Sequence, residues 1–358
     1  MAYVAVKGGR QAIEQACRSS EYERGAGATQ PLAVDQLVDQ LGLLIDRIIG
    51  EGSLYAPDLA ALAVKQSGGD SFEAAFILRA FRTTQPRLGY SIGAGTGAMR
   101  VIRRISSAFK DIPGGQILGS TDDYSLRLVN FDLFDDSRAR REQVIAALLE
   151  EAKISEPLPP TFPKLVDLLR AEGLLEEGDR SEEGVTDITR ESIRFPATRS
   201  ASLQTLARGE SGGLLCLAYS NMRGYGSVHP TIGELRVGYL PVEVIHPLTG
   251  EPYRIGEVKV TEAEIISKKY SDLDQPRLTL GYGLCFGHNE TKAIAMAVLD
   301  RAMQSEQPEV PSEDQEFVLS HVDGIESMGF CNHFKLPHYV TFQSQLDRLR
   351  RSRQGEEQ

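Results

Sequence analysis

The chain has 358 residues, 41% hydrophobic and 25% charged, a balance that calls for packed cores and exceeds one ordinary domain. With 50 acids against 39 lysines and arginines its net charge is −11, which excludes a general nucleic-acid binder, so any phosphate site must be local. Apolar runs such as Leu214–Ala218 are too short to span a bilayer, Lys7-Gly8-Gly9 interrupts any signal peptide, and Cys17, Cys216, Cys285 and Cys331 are widely scattered without a C-x-x-C pair; a cytoplasmic protein with reduced thiols is expected.

Tyr3 to Gly9 reads as a strand and glycine turn leading into a helix through Ile13 and Cys17. Such a turn beside Lys7 suits an anion, although strand-glycine-helix turns without ligands are common. From Leu32 to Ile49, Leu37, Leu41, Leu44, Ile45 and Ile48 recur at helical spacing, with Gly50 as a stop. Pro57 and Asp58 open a second helix ending at Gly68-Gly69, and Asp70 with Glu73 caps a third to about Thr83. The acidic, glycine-bearing stretch 173–187 predicts a linker between a helix-rich lobe, 1–172, and a sheet-containing lobe, 188–345, followed by a charged tail, 346–358. In the second lobe Gly213–Tyr219, Glu234–Tyr239, Ile255–Val260 and Leu278–Leu284 read as strands of a mixed or antiparallel sheet. Helices are expected over Asn289–Met303, from a Ser312/Gln315 box to about Val322, and from about Tyr339 into the basic end Arg348–Arg353. The fold class is α+β.

No G-x-x-x-x-G-K-[ST] run occurs, which removes the ordinary P-loop ATPase, and Gly93–Gly97 lacks the spacing and βαβ context of a dinucleotide loop. Arg103, Arg104 and Lys110 precede a Pro113-Gly114-Gly115 turn, as an anion site or as a helix with cations toward its C-terminus. Arg190, Arg194, Arg199 and Arg208, with Thr198, Ser200 and Ser202, form the best oxyanion candidate, since a guanidinium fork binds phosphate bidentately; pairing with surface acids is the alternative. Ala218–Pro230 and Glu234 read as a glycine-rich binding loop in which Arg223 and Tyr225 could meet a nucleotide, or as tight turns. His333 and His338 flank Pro337 and could converge on one metal from a loop, short of a full shell; ordinary polar histidines are the alternative.

The strings YVAVKGG (3–9), LAVKQ (62–66), RAFRTT (79–84), RRISSAFKDIPGGQILG (103–119), RSASLQ (199–204), LAYSNMRGYG (217–226), GYGLCFG (281–287), EFVLSHVDG (316–324) and HFKLPHYVTFQ (333–343) together resemble subunit I of the carbon-phosphorus lyase core complex, the PhnI-type family. Residues 135–184 carry no motif of that pattern, and neither the Gly93–Gly97 loop nor Cys331 belongs to it. The resemblance implies assembly with subunits G, H and J, self-association of the I subunits, and a purine nucleosidase activity on ATP or GTP. With subunits G, H and L it implies a transferase step in which an alkylphosphonate displaces adenine from ribose C1. It also implies zinc on His333 and His338 at the contact with subunit J. For that chemistry the residue types nominate Arg190, Arg199, Arg223 and Lys110 for the oxyanions, Glu234 or Asp111 near the sugar and Tyr225 at the base, with magnesium on the triphosphate. The alternatives are a catalytically silent scaffold for subunit J and an independent zinc hydrolase.

Overall fold

The computed structural model describes residues 9–135, 137–152, 159–176, 184–225, 230–268, 277–336 and 338–355, so the expected strand from Tyr3 lies outside the described residues. Helix α1 (Arg10–Gly25) follows Gly9, whose φ of 60° turns the chain, and buries no residue. The Leu32–Ile49 periodicity belongs to two helices, α2 (Val34–Gln40) and α3 (Gly42–Gly52), because Leu41 leaves helical geometry between them. Each segment keeps its own apolar face, so the helical spacing survives the break. α3 runs through Gly50 and stops at Ser53, which takes the left-handed conformation. Helices α4 (Pro57–Gln66) and α5 (Ser71–Thr83) are those expected: Pro57 opens the first, and the Asp70 carboxylate accepts from the N–H groups of Phe72 and Glu73. Leu37, Ile45, Ile48 and Ile49 interlock with Ala60, Ala61, Ala74, Ala75 and Leu78 as this lobe's core.

A 3₁₀ turn at Thr96–Ala98 leads into β1 (Arg100–Ile105). The basic run at 103–104 is therefore a strand and not the end of a helix. Gly114 and Gly115, both at positive φ, return the chain so that Ile117 bridges Arg104. After α6 (Arg138–Ala152) and α7 (Leu165–Ala171) come α8 (Arg199–Arg208) and α9 (Ser211–Ser220). The strand expected at Gly213–Tyr219 is thus helical; Glu210 caps it by accepting from the N–H groups of Gly212 and Gly213, and a short apolar run carries no period of its own. A π-helical turn at Asn221–Tyr225 precedes β2 (Thr231–Ile245), β3 (Pro252–Lys268) and β4 (Leu278–Phe286), which continue into α10 (Glu290–Ala302), α11 (Gln315–His321), α12 (Gly324–His333) and α13 (Tyr339–Gly355). Asp314 caps α11, while the Gln315 amide reaches across to the Ala197 backbone, so the expected Ser312/Gln315 box does not form.

The fold is α+β, with a four-stranded antiparallel sheet in the order β1-β2-β3-β4. Leu235, Ala263, Ile265 and Cys285 face α10 and meet Ala293, Met296 and Ala297. A side chain at Gly281 or Gly283 would place Cβ 2.1 Å from the carbonyl oxygens of Ala297 and Ala293, so α10 lies directly against the β4 backbone. The division expected at 173–187 does not separate helices from sheet: β1 comes from before it, and Leu175, within it, bridges Leu278. Among the described residues no helix is long and apolar enough to cross a membrane.

Candidate functional site

Where the helical lobe meets the ends of the strands, an open slot of about 540 Å³ is walled on the sheet side by Leu240 and Val242 of β2, Val258 and Val260 of β3, and Leu284 and Phe286 of β4. These residues lie toward the end of the sheet where β2 leaves and β3 enters, and Leu240, Val258, Val260, Leu284 and Phe286 belong to the cluster around Met99, Val101 and Phe162 on the face away from α10. The opposite wall is polar: Ser53 after α3, Arg82 on α5, Gln204 and Arg208 on α8, and the loop Ser91–Ala94. A second cavity of about 340 Å³, bordered by Arg190, Glu191, Asp323 and Glu326, shares Ile188, Thr189 and Arg208 with the first, so the two form one cleft. An apolar slot with a few convergent polar groups is the usual form of a small-molecule site.

The arginines lining this cleft and next to it differ in how they are held. Arg79 is buried against Asp323 at 2.7 Å and also donates to the Glu51 carbonyl. Arg208 bonds Glu326 at 2.8 Å and lies 3.5 Å from Asp323. Arg87 holds Asp187, whose carboxyl is drawn well below the usual carboxylate range, first by the Thr189 hydroxyl and then by Arg87 and Tyr90. Arg82 is partly buried and donates to the Ser53 carbonyl at 3.2 Å, with no carboxylate partner among the described residues. Burial, then the fields of Arg208, Arg79 and Arg87, lower its pKa against the pull of Asp187.

The face of the sheet opposite α10 is charged yet closed. Arg104 bonds Glu234, and its remaining N–H groups go to the carbonyls of Pro113, Gly115 and Pro163. Glu262 accepts from Arg236 at 2.9 Å, Lys164 at 2.9 Å, Thr96 at 2.6 Å and Tyr282 at 3.0 Å. Burial pushes the Glu262 carboxyl up, but Arg236 and Lys164 outweigh it and lower the pKa. Its neighbour Glu264 is pushed up to about 7, by burial and then by the Glu262 charge, against the pull of Lys164. Glu234, expected beside the sugar, is a correction: 1% exposed, it neutralises Arg104 and accepts from the Leu165 N–H that starts α7.

The expected arginine cluster is brought together only in part, Arg190 and Arg208 bordering one cavity. Arg190 stands exposed on the outer cavity, but Arg199 on the first turn of α8 is bonded to Asp300 at 2.7 Å, and Arg223 lies over the Tyr219 ring, 5.8 Å from its centroid. The nearby hydroxyls are also in use: Thr198 caps α8 and Ser200 accepts from the Thr186 N–H. Lys110 and Asp111 are exposed in the turn after β1 and line neither cavity. Tyr225 ends the π-helical turn, and its side chain and residues 226–229 lie outside the described residues.

The structure does bring His333 and His338 together, with ring centroids 5.3 Å apart at the α12–α13 junction. Each Nδ1 faces a backbone carbonyl, Phe330 and Leu336 respectively, and so serves as the donor, which leaves both Nε2 atoms as the available ligands. This donor pair fits zinc as half a shell; no group of three candidate ligands exists among the described residues. Arg82, Ser53 and Ser91 are cleft residues that sequence reasoning passed over, and Gly93 and Ala94 belong to the loop it set aside. Arg82 sits inside the RAFRTT string but carried no chemical signature, since only folding removes its counterion.

The family model described as bacterial phosphonate metabolism protein (PhnI) matches residues 2–356. A protein of Stutzerimonas stutzeri named putative C-P lyase subunit protein HtxH is 55% identical over 98% of this chain and 95% of its own. Proteins named alpha-D-ribose 1-methylphosphonate 5-triphosphate synthase subunit PhnI are similarly related. The one from Rhizobium meliloti (strain 1021) is 46% identical over 98% of this chain and 95% of its own; that from Escherichia coli (strain K12) is 44% identical over 98% of each.

Proposed function

The chain belongs to the PhnI family of bacterial phosphonate metabolism proteins, and from that membership we propose that it is a carbon-phosphorus lyase subunit that helps form α-D-ribose 1-alkylphosphonate 5-triphosphate. In this reaction the bond from ribose C1 to adenine breaks as an alkylphosphonate oxygen bonds C1. The departing base takes the electron pair and is protonated at nitrogen. The observation that carries the reading is the arginine-bordered cleft with one apolar wall, which suits a ligand that is aromatic at one end and polyanionic at the other. Breaking a glycosidic bond builds positive charge on the sugar, so the site must hold the triphosphate firmly without placing a cation at C1. Arginines on α5, α8 and the 187–190 turn, with an uncharged sheet wall across the slot, support this reading. Magnesium accompanies the triphosphate and offsets part of its charge.

The partners are subunits G, H, J and L and a second copy of this chain, with His333 and His338 offering zinc ligands that subunit J completes. The experiment is incubation of the purified chain with MgATP and MgGTP and chromatographic detection of free base. Base release above blank is expected from the chain alone, and ribosyl phosphonate in place of hydrolysis when alkylphosphonate and subunits G, H and L are added. A catalytically silent scaffold is the second reading, favoured by the incomplete histidine pair and by exposed apolar side chains at Leu126, Leu128, Phe131, Leu133 and Phe134. Absence of base release from a chain that still assembles would select it.

A further inference from the structure

We propose that the apolar slot seats the purine base of a nucleoside triphosphate and that Arg82 is the anchor of its phosphates, with Arg208 and Arg190 continuing the track into the outer cavity. This rests on the reading of the chain as a nucleotide-handling subunit and locates the site that the reading leaves open. Three observations converge. A volume of about 540 Å³ takes a nucleoside but not a macromolecular segment, and the β2–β4 wall offers a purine apolar contact with no competing charge. Ser91 and Gln204 on the facing wall supply polar groups for a base edge.

The second observation is charge. Asp323 and Glu326 are taken by Arg79 and Arg208, and Asp187 by Arg87. Arg82 faces those three cations with a carbonyl as its one hydrogen-bond acceptor among the described residues, and the one acid that acts on it, Asp187, is already held by Arg87. An unpaired, partly buried guanidinium in a positive field is costly in the free protein and is relieved by an anion. A single small anion would satisfy Arg82 but would leave the apolar slot unused. The third is the loop: Gly93 and Ala94 border the slot, and nothing lies within 4 Å of where a Gly93 side chain would begin, so the backbone has room to approach a ligand.

Binding of MgATP and of adenosine to the full chain, read by calorimetry, tests the proposal. Arg82→Gln should weaken MgATP at least tenfold, since a charge-assisted bond contributes roughly 1.5–3 kcal/mol, and leave adenosine unchanged. Ala207→Phe, which fills the slot from α8, should weaken both. Arg82→Gln removes one charge from a cluster of like charges, so thermal unfolding should show it folded and no less stable than wild type. Equal MgATP affinity in wild type and both variants overturns the proposal, as does absence of saturable MgATP binding to the wild type. If the wild type releases base while both variants bind and react normally, the site assignment falls and the function stands; if no protein releases base, the function falls and the binding data judge the site alone.

Discussion

Glu234 and Arg82 sit in surroundings that residue type alone would not assign to them. A carboxylate near an arginine-rich loop looks catalytic and an arginine on an amphipathic helix looks ordinary, but folding gives Glu234 a permanent partner and leaves Arg82 without one. Glu234→Gln should therefore lower stability by about 3–5 kcal/mol, the cost of leaving a buried charge uncompensated, measured by urea unfolding. Unchanged stability with lost base release would restore it to the chemistry. Glu264 gives a test by pH. Its folded carboxyl, at about 7 against an ordinary 4.5, keeps a proton that the unfolded chain has released, so its contribution to stability is full below 4.5 and is lost as pH rises through 7. The urea midpoint of Glu264→Gln should consequently fall less between pH 5 and 8 than that of the wild type, in order-of-magnitude terms set by a shift of this size.

At the scale of elements, periodicity and caps were legible where packing repeats a simple pattern. Asp70, Pro57 and the 289–303 face led to helices with nearly the observed bounds. They failed where a short apolar run had no period, at Ser211–Ser220, and where cations formed a strand, at Arg100–Ile105. In the strand, Arg103 and Arg104 point to opposite faces, and each finds acids that are distant in sequence: Glu290 and Asp123 for one, Glu234 for the other. No local rule contains such partners. The contact of α10 with β4 depends on missing side chains, and Gly283→Ala would force Cβ onto the Ala293 carbonyl. A loss of about 1–3 kcal/mol or more is expected from that overpacking, seen as a lower thermal midpoint with the antiparallel sheet otherwise retained.

For the whole molecule, the family and the α+β class were readable from strings spread along the chain, while the cleft was not, because its walls come from α3, α5, α8, three strands and two loops. The histidine pair was readable, being local, and among the described residues it has no third ligand beside it. Zinc measured by emission spectroscopy should be substoichiometric in the isolated chain and stoichiometric in the complex with subunit J, and His338→Ala should remove it there. Full occupancy in the isolated chain would favour the zinc-hydrolase reading instead.

The bridge between Leu175 and Leu278, together with β1 on β2 and Lys164 on Glu262 and Glu264, stitches the sequence before residue 176 to the sequence after 230. A protease that severs the backbone between Glu176 and Gly184 should thus yield two fragments that elute as one particle under native conditions and part only in denaturant. Separately expressed pieces should regain the native form on mixing, one bringing the edge strand β1 and the other the three strands it completes.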